Sequence, residues 1–131
     1  MILVKAWEEQ GVEIPAPYRR RIKVLLAPDK GGVAELTFSH ALLPPGGKTD
    51  YHTHDRPELI YIVAGEGICL HEGEETPIKE DMVLWVLAGE RHQMINTGYT
   101  QMKLATVFIP AYSAQENYHR CLEAAKAAAG E

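Results

Sequence analysis

Apolar and polar positions along the chain alternate over short distances. Runs rich in Val, Ile, Leu, Thr and Tyr occupy positions 22–26, 34–43, 58–64, 68–71, 82–87, 93–96 and 103–109. Turn-forming groups separate them: Pro15-Ala16-Pro17, Pro28-Asp29-Lys30-Gly31-Gly32, Pro44-Pro45-Gly46-Gly47, Gly65-Glu66-Gly67, Glu72-Gly73-Glu74, Ala88-Gly89 and Asn96-Thr97-Gly98. Many short strands punctuated in this way predict an all-β antiparallel sandwich or barrel. No strand–helix–strand alternation is present, which argues against an α/β fold. One helix is predicted at the end. Ser113-Ala114-Gln115-Glu116 has the capping-box pattern, in which the hydroxyl and the carboxylate satisfy free backbone N–H groups. Tyr118, Cys121, Leu122 and Ala125 follow at helical spacing and form one apolar stripe, suited to docking on the barrel or on a partner subunit. His119 falls off that stripe and reads as a surface residue.

Composition narrows the picture. With 131 residues, 46% of them apolar, the expectation is one domain over 1–131 with a proper core. The barrel spans roughly 20–110 and the helix roughly 113–129. A formal net charge of −5 disfavours nucleic acid, whose phosphates need basic patches. The one basic run, Arg19-Arg20-Arg21 with Lys23, reads as a solvated strand face. Cys69 and Cys121 have no metal or redox spacing, which points to a reducing, cytoplasmic setting. The apolar run at the N-terminus is too short for a signal peptide. The longest apolar run, 82–88, is too short to span a bilayer.

The candidate chemistry begins at His52-Thr53-His54. In extended backbone, residues i and i+2 share a face, so two imidazoles converge on one point. Glu58 follows four residues later, behind Pro57, and a turn between His54 and Glu58 would return the carboxylate to the imidazoles. His92 lies just beyond the Ala88-Gly89 turn, and only a closed barrel would bring it to the others.

These residues and their glycines resemble the cupin superfamily. Its first motif, G-x5-H-x-H-x3-E-x6-G, is matched at every spacing by Gly46, His52, His54, Glu58 and Gly65. Its second, G-x5-P-x-G-x2-H-x3-N, is matched by Gly89, His92 and Asn96, with Asp81 and Leu87 in place of the first glycine and the proline. The resemblance implies a double-stranded β-helix (a jelly-roll barrel) with a C-terminal helix. It also implies one divalent first-row metal per chain, Fe, Mn, Zn, Ni or Cu, held by His52, His54, Glu58 and His92. Three imidazoles and a carboxylate suit several such ions. Four protein ligands leave positions open for a small-molecule substrate, the mark of a catalytic rather than a structural site.

Around the metal, Leu36, Phe38, His40 and Leu42 share one strand face, expected to point into the barrel. His40 is therefore the candidate catalytic residue, as a proton carrier of near-neutral pKa, with a hydrogen-bonded core histidine as the alternative. Ile60 and Ile62 share the parity of Glu58, and Met94 and Asn96 that of His92. Tyr61 and Trp85 read as core or pocket, and His71 as an exposed residue in a polar turn region over 70–77. The expected function is a metal-dependent enzyme acting on a small carboxylate, hydroxyl or carbonyl compound by dioxygenase, isomerase, decarboxylase or lyase chemistry. A sugar- or acid-binding sensor without turnover is the alternative. The apolar Ile2, Leu3 and Val4 and the exposed sheet edges predict a homodimer.

Overall fold

The structure, a computed structural model, describes residues 1–130. A 3-10 turn at Ala6–Glu8 precedes β1 (Val12–Ile14), β2 (Arg20–Leu26), β3 (Thr37–Leu43), β4 (Glu58–Ala64), β5 (Glu66–His71), β6 (Glu74–Lys79), β7 (Val83–Val86), β8 (His92–Ile95), β9 (Met102–Phe108) and α1 (Ala114–Ala129). Antiparallel pairing gives a six-stranded sheet in the order β1-β2-β3-β9-β4-β7 and a three-stranded sheet in the order β6-β5-β8. The two sheets face each other as a double-stranded β-helix.

Alternation along each strand decides what fills the barrel. Ile60 and Ile62 of β4, Met94 of β8 and Met102 and Leu104 of β9 point inward and are at most 2% exposed. Leu43, Cys69, Ile78 and Val86 complete that core. The larger sheet overhangs the smaller one at β1 and β2, and α1 covers the overhang. Ile14, Ile22, Val24 and Ala27 pack there against Ala114, Cys121 and Ala125. The helix thus docks on its own barrel, along the stripe read from the sequence; Leu122 remains 37% exposed. Its capping box is complete, with Ser113 Oγ accepting from the Glu116 N–H and Glu116 accepting from the Ser113 N–H. Cys69 and Cys121 are both buried and unpaired.

Three expectations change. First, β6 runs through the segment read as a polar turn. As an edge strand exposed at every residue but Ile78, it has no apolar alternation to betray it. β1, at an edge of the larger sheet, is equally unexpected, since three residues are too few to show alternation. Second, the basic run is solvated only in part: Arg19 is exposed and Arg21 and Lys23 keep to the outer face, but Arg20 does not. Arg20 shares the parity of Ile22 and Val24, points inward and is 2% exposed. Third, β3 has the opposite parity to the one expected. Thr37 and Ser39 are buried, while Phe38 and His40 lie on the outer face. Thr37 is held inward because its hydroxyl donates to the Tyr112 carbonyl and accepts from the Tyr112 N–H, at 2.6 and 2.7 Å. His40 sits beside Lys23 across the pair with β2, far from the inward row. Partial burial, then Lys103 and Lys23, lower its pKa.

Candidate metal centre

The first two histidines are positioned by backbone pairing. His52 and His92 form an isolated antiparallel bridge, each N–H donating to the other's carbonyl at 3.1 and 2.9 Å. The extended segment places His52 and His54 on one face, with ring centroids 4.5 Å apart. Gly89, at φ +84°, donates its N–H to the His54 carbonyl at 2.8 Å and so clips the following turn to the motif. Glu58 opens β4, paired with Phe108 on one side and Val86 on the other. The Phe108 ring packs edge-on against His54 at 4.7 Å.

Both departures from the family pattern are accommodated. Asp81 adopts φ +72°, the left-handed conformation a glycine would take and one that aspartate tolerates. Its N–H donates to the Ile62 carbonyl at 2.8 Å. Leu87 is an exposed turn residue whose N–H donates to Glu90 Oε1 at 2.7 Å.

The structure brings His52, His54, Glu58 and His92 together, with one donor atom of each within 4.8 Å of all the others. His52 Nε2 and His54 Nε2 are 2.8 Å apart. Glu58 Oε1 lies 3.2 Å from His92 Nε2 and 3.7 Å from His54 Nε2. Donors bound at about 2.0–2.2 Å to a single ion sit about 2.8–4.4 Å apart, so these three spacings fit. Hydrogen bonding aims the nitrogens. His52 Nδ1 faces the Asp50 carbonyl at 2.6 Å, and His92 Nδ1 faces the Glu90 carbonyl at 3.0 Å. A carbonyl only accepts, so each Nδ1 carries a proton, and in the neutral ring each Nε2 turns its lone pair to the cluster.

Burial keeps two of the rings neutral. It is the main cause lowering His52 to about 4 and His54 to about 2. His92 goes the other way. Burial pulls it down, but the hydrogen bonds to Glu58 and to the Glu90 carbonyl outweigh that and raise it. Lone pairs held this close in a buried site repel unless a cation lies between them. The donor set therefore fits a divalent first-row ion.

The cluster sits in the wall of a cavity of about 60 Å3, also lined by Arg20, Ser39, Asn117 and Arg120. At about 10–15 Å3 for each water-sized group, that is room for about four to six such groups, the scale of a small organic acid. His40 is not among the lining residues, because β3 presents Ser39 and Ala41 instead. Tyr61 and Trp85 lie exposed on the outer face. His71 ends β5, half-exposed and hydrogen-bonded to Glu90. His119 is exposed, and Asn96 is buried, donating to the Leu43 and Thr100 carbonyls.

An ion cluster beside the histidines was not read from the sequence. Asp50 Oδ1 is 3.5 Å from Arg20 Nη2, and its Oδ2 is 3.2 Å from Arg120 Nη1. A signal existed for part of it. Asp50 has the parity of His52 and His54, and Arg20 that of Ile22 and Val24. Nothing local marked Arg120, which reaches the site from α1.

Comparison with known proteins agrees with this architecture. An oxalate-binding protein of Thermotoga maritima is 37% identical over 73 residues, which cover 55% of this chain and 60% of that protein. The chain thus matches less than two thirds of that relative's length. The solved structure of a predicted oxalate decarboxylase from the same organism superposes with a TM-score of 0.75 at 28% identity, covering 83% of this chain and 99% of that one. Ectoine synthase from P. lautus also reaches 0.75, at 22% identity and covering 92% and 86%, and shares the fold. The cupin-domain model Cupin_2 matches residues 39–108, which hold all four clustered residues, and the chain belongs to that cupin family.

Proposed function

We propose that His52, His54, Glu58 and His92 hold one divalent first-row metal and that the protein is an enzyme acting on a small organic acid there. The observation that carries this reading is the convergence of four donor atoms, two of them nitrogens aimed by backbone carbonyls, on the wall of a small cavity with guanidinium groups. A bound ion supplies Lewis acidity, or one-electron chemistry if it is Fe or Cu. The chain's own residues then bind and orient the acid, and Phe108 and Ile60 give the cavity an apolar wall beside the donors. Decarboxylase, lyase, isomerase and dioxygenase chemistry all fit this arrangement. His40 has no part in it, since it lies on the outer face of β3.

A second reading, binding without turnover, is favoured by the oxalate-binding relative. In either reading we place the protein in a reducing compartment, in keeping with its two buried free thiols, and as a homodimer.

The test begins with metal analysis of protein purified from its native host. Close to one first-row metal per chain is expected. His54→Ala should lose most of it with unchanged β-type circular dichroism, and Glu58→Gln should lose less. Undiminished metal in His54→Ala overturns the assignment. Small carboxylic acids are then offered to the loaded protein. Product formation supports the enzyme; tight binding with no product supports the sensor.

A further inference from the structure

The guanidinium groups in the cavity exceed what the nearby carboxylate neutralises. Arg20 and Arg120 both approach Asp50, from opposite oxygens. The Asp50 Oδ2 atom that receives Arg120 also lies 3.6 Å from His52 Nδ1, the ring nitrogen turned away from the other donors, so this oxygen links α1's arginine to the His52 ring. Arg120 uses Nη1 on Asp50 and Nη2 on Cys121 Sγ, and a guanidinium has five N–H donors. Its side chain is 35% exposed, unlike that of Arg20 at 3%, so it retains access to a ligand. A second, independent feature lies in the same cavity. Ser39 is 2% exposed and lines the cavity, and its hydroxyl has no hydrogen-bond partner among the described residues. A buried hydroxyl left unpaired is costly, and buried polar groups are otherwise satisfied. Across the strand pair it neighbours Thr106, which in turn neighbours Ile60, two residues from Glu58.

We propose that Arg120 of the C-terminal helix, with Ser39, forms an anion subsite that selects small dicarboxylates, one carboxylate at the metal and the other on Arg120. This rests on the metal reading above and names its substrate class. Charge closes the argument. Two guanidiniums and a divalent ion bring four positive charges, and Asp50 and Glu58 bring two negative ones. A dianion balances the remainder, and a neutral sugar does not. The small cavity excludes bulky acids. α1 is therefore part of the recognition site as well as a cover for the overhanging strands.

The experiment is calorimetric titration of Co(II)-loaded protein with malonate and with acetate, with metal content measured on every sample. Wild type should bind malonate at least tenfold more tightly than acetate. Arg120→Gln should lose that preference, its malonate affinity falling tenfold or more and its acetate affinity changing less than threefold. Arg120→Lys, which keeps the charge but not the fork, should fall between, and Ser39→Ala should weaken malonate severalfold. Arg21→Gln removes an arginine outside the cavity and should change neither. Circular dichroism identifies any variant that misfolds, and the other variants then decide. Equal malonate affinity in Arg120→Gln and wild type at equal metal content overturns the subsite, as does a wild type indifferent to the second carboxylate. Absence of metal from wild type overturns the metal reading instead; metal-free protein should then still bind malonate in an Arg120-dependent way.

Discussion

The Nδ1 of His52 lies 2.6 Å from the backbone carbonyl of Asp50, and this contact decides what the other ring nitrogen can do. The carbonyl accepts a hydrogen bond from the ring's Nδ1–H, so Nε2 of the neutral imidazole is left to offer its lone pair to a cation. Because the acceptor is backbone, no side-chain substitution removes it. The Asp50 side chain is left for a separate task, holding Arg20 and Arg120. One residue thus ties the histidine cluster to the anion-binding side of the cavity.

The first prediction concerns pH. His52 at about 4 and His54 at about 2 are already neutral near pH 6, whereas His92 is raised above its ordinary value. A metal ion entering between pH 5 and 6.5 should therefore displace one proton, that of His92. The sign follows. For the metal-free protein, a raised histidine stabilises fully below the unfolded value of about 6.5, and that stability is lost as pH rises through the folded value. Metal affinity runs oppositely, rising about tenfold per pH unit and levelling off above the His92 pKa. Competitive Zn(II) titrations at several pH values measure the slope. A slope near three, as for three ordinary histidines, would contradict the environment described.

Much of this site was legible because its residues announce themselves locally. His52, His54 and Glu58 lie within one turn of chain, and β4 begins and ends where its apolar run does. The capping box marked the start of α1. What stayed hidden depends on partners distant in sequence. Arg20 sits in a run of three arginines whose charge suggested solvent, yet strand alternation turns it toward Asp50, thirty positions on. In β3 the larger side chains suggested an inward face. The decision belongs to Thr37, whose hydroxyl is engaged by Tyr112 from beyond β9, and that pairing has no signature in the strand itself.

The second prediction concerns how α1 is fastened. Asp29, in the loop after β2, accepts from the first two N–H groups of the helix, Ala114 at 2.6 Å and Gln115 at 3.2 Å. Those hydrogen bonds, with Ala114's the largest, hold its carboxyl below the usual range. Its contribution is present above an unfolded pKa of about 3.9 and lost as pH falls through the lower folded value. Asp29→Ala should cost about 1 kcal/mol at neutral pH, the usual worth of a capping side chain. Because α1 carries Arg120, the variant should also bind malonate more weakly. Thermal unfolding from pH 7 downward checks the first part: the difference between wild type and variant should be full at pH 7 and shrink as pH falls below about 3.9. A difference independent of pH would assign the loss to loop packing rather than to the carboxylate.

The last prediction concerns assembly. Ile2, Leu3, Val4 and Trp7 are 55%, 69%, 41% and 78% exposed along the N-terminal segment. The outer face of β4 and β7 adds Tyr61, Val63, Val83 and Trp85, all exposed, and β7 is an unpaired edge of the larger sheet. Apolar surface of this kind, next to an open strand edge, is what a second subunit covers. A homodimer is expected, built on a two-fold axis so that each copy offers the same surface. Light scattering at micromolar concentration should give twice the 14.6 kDa of one chain. The two tryptophans, Trp7 and Trp85, report which surface is used, since both are exposed in the single chain. Dilution of the dimer should red-shift the emission of whichever one the interface buries. Leu3→Glu should give a monomer if the N-terminal segment forms the contact, and Trp85→Glu if the sheet face does. The cavity is built from one chain alone, so a monomeric variant should retain its metal and its preference for malonate. A wild type of single-chain mass would refute the dimer and leave the site assignment standing.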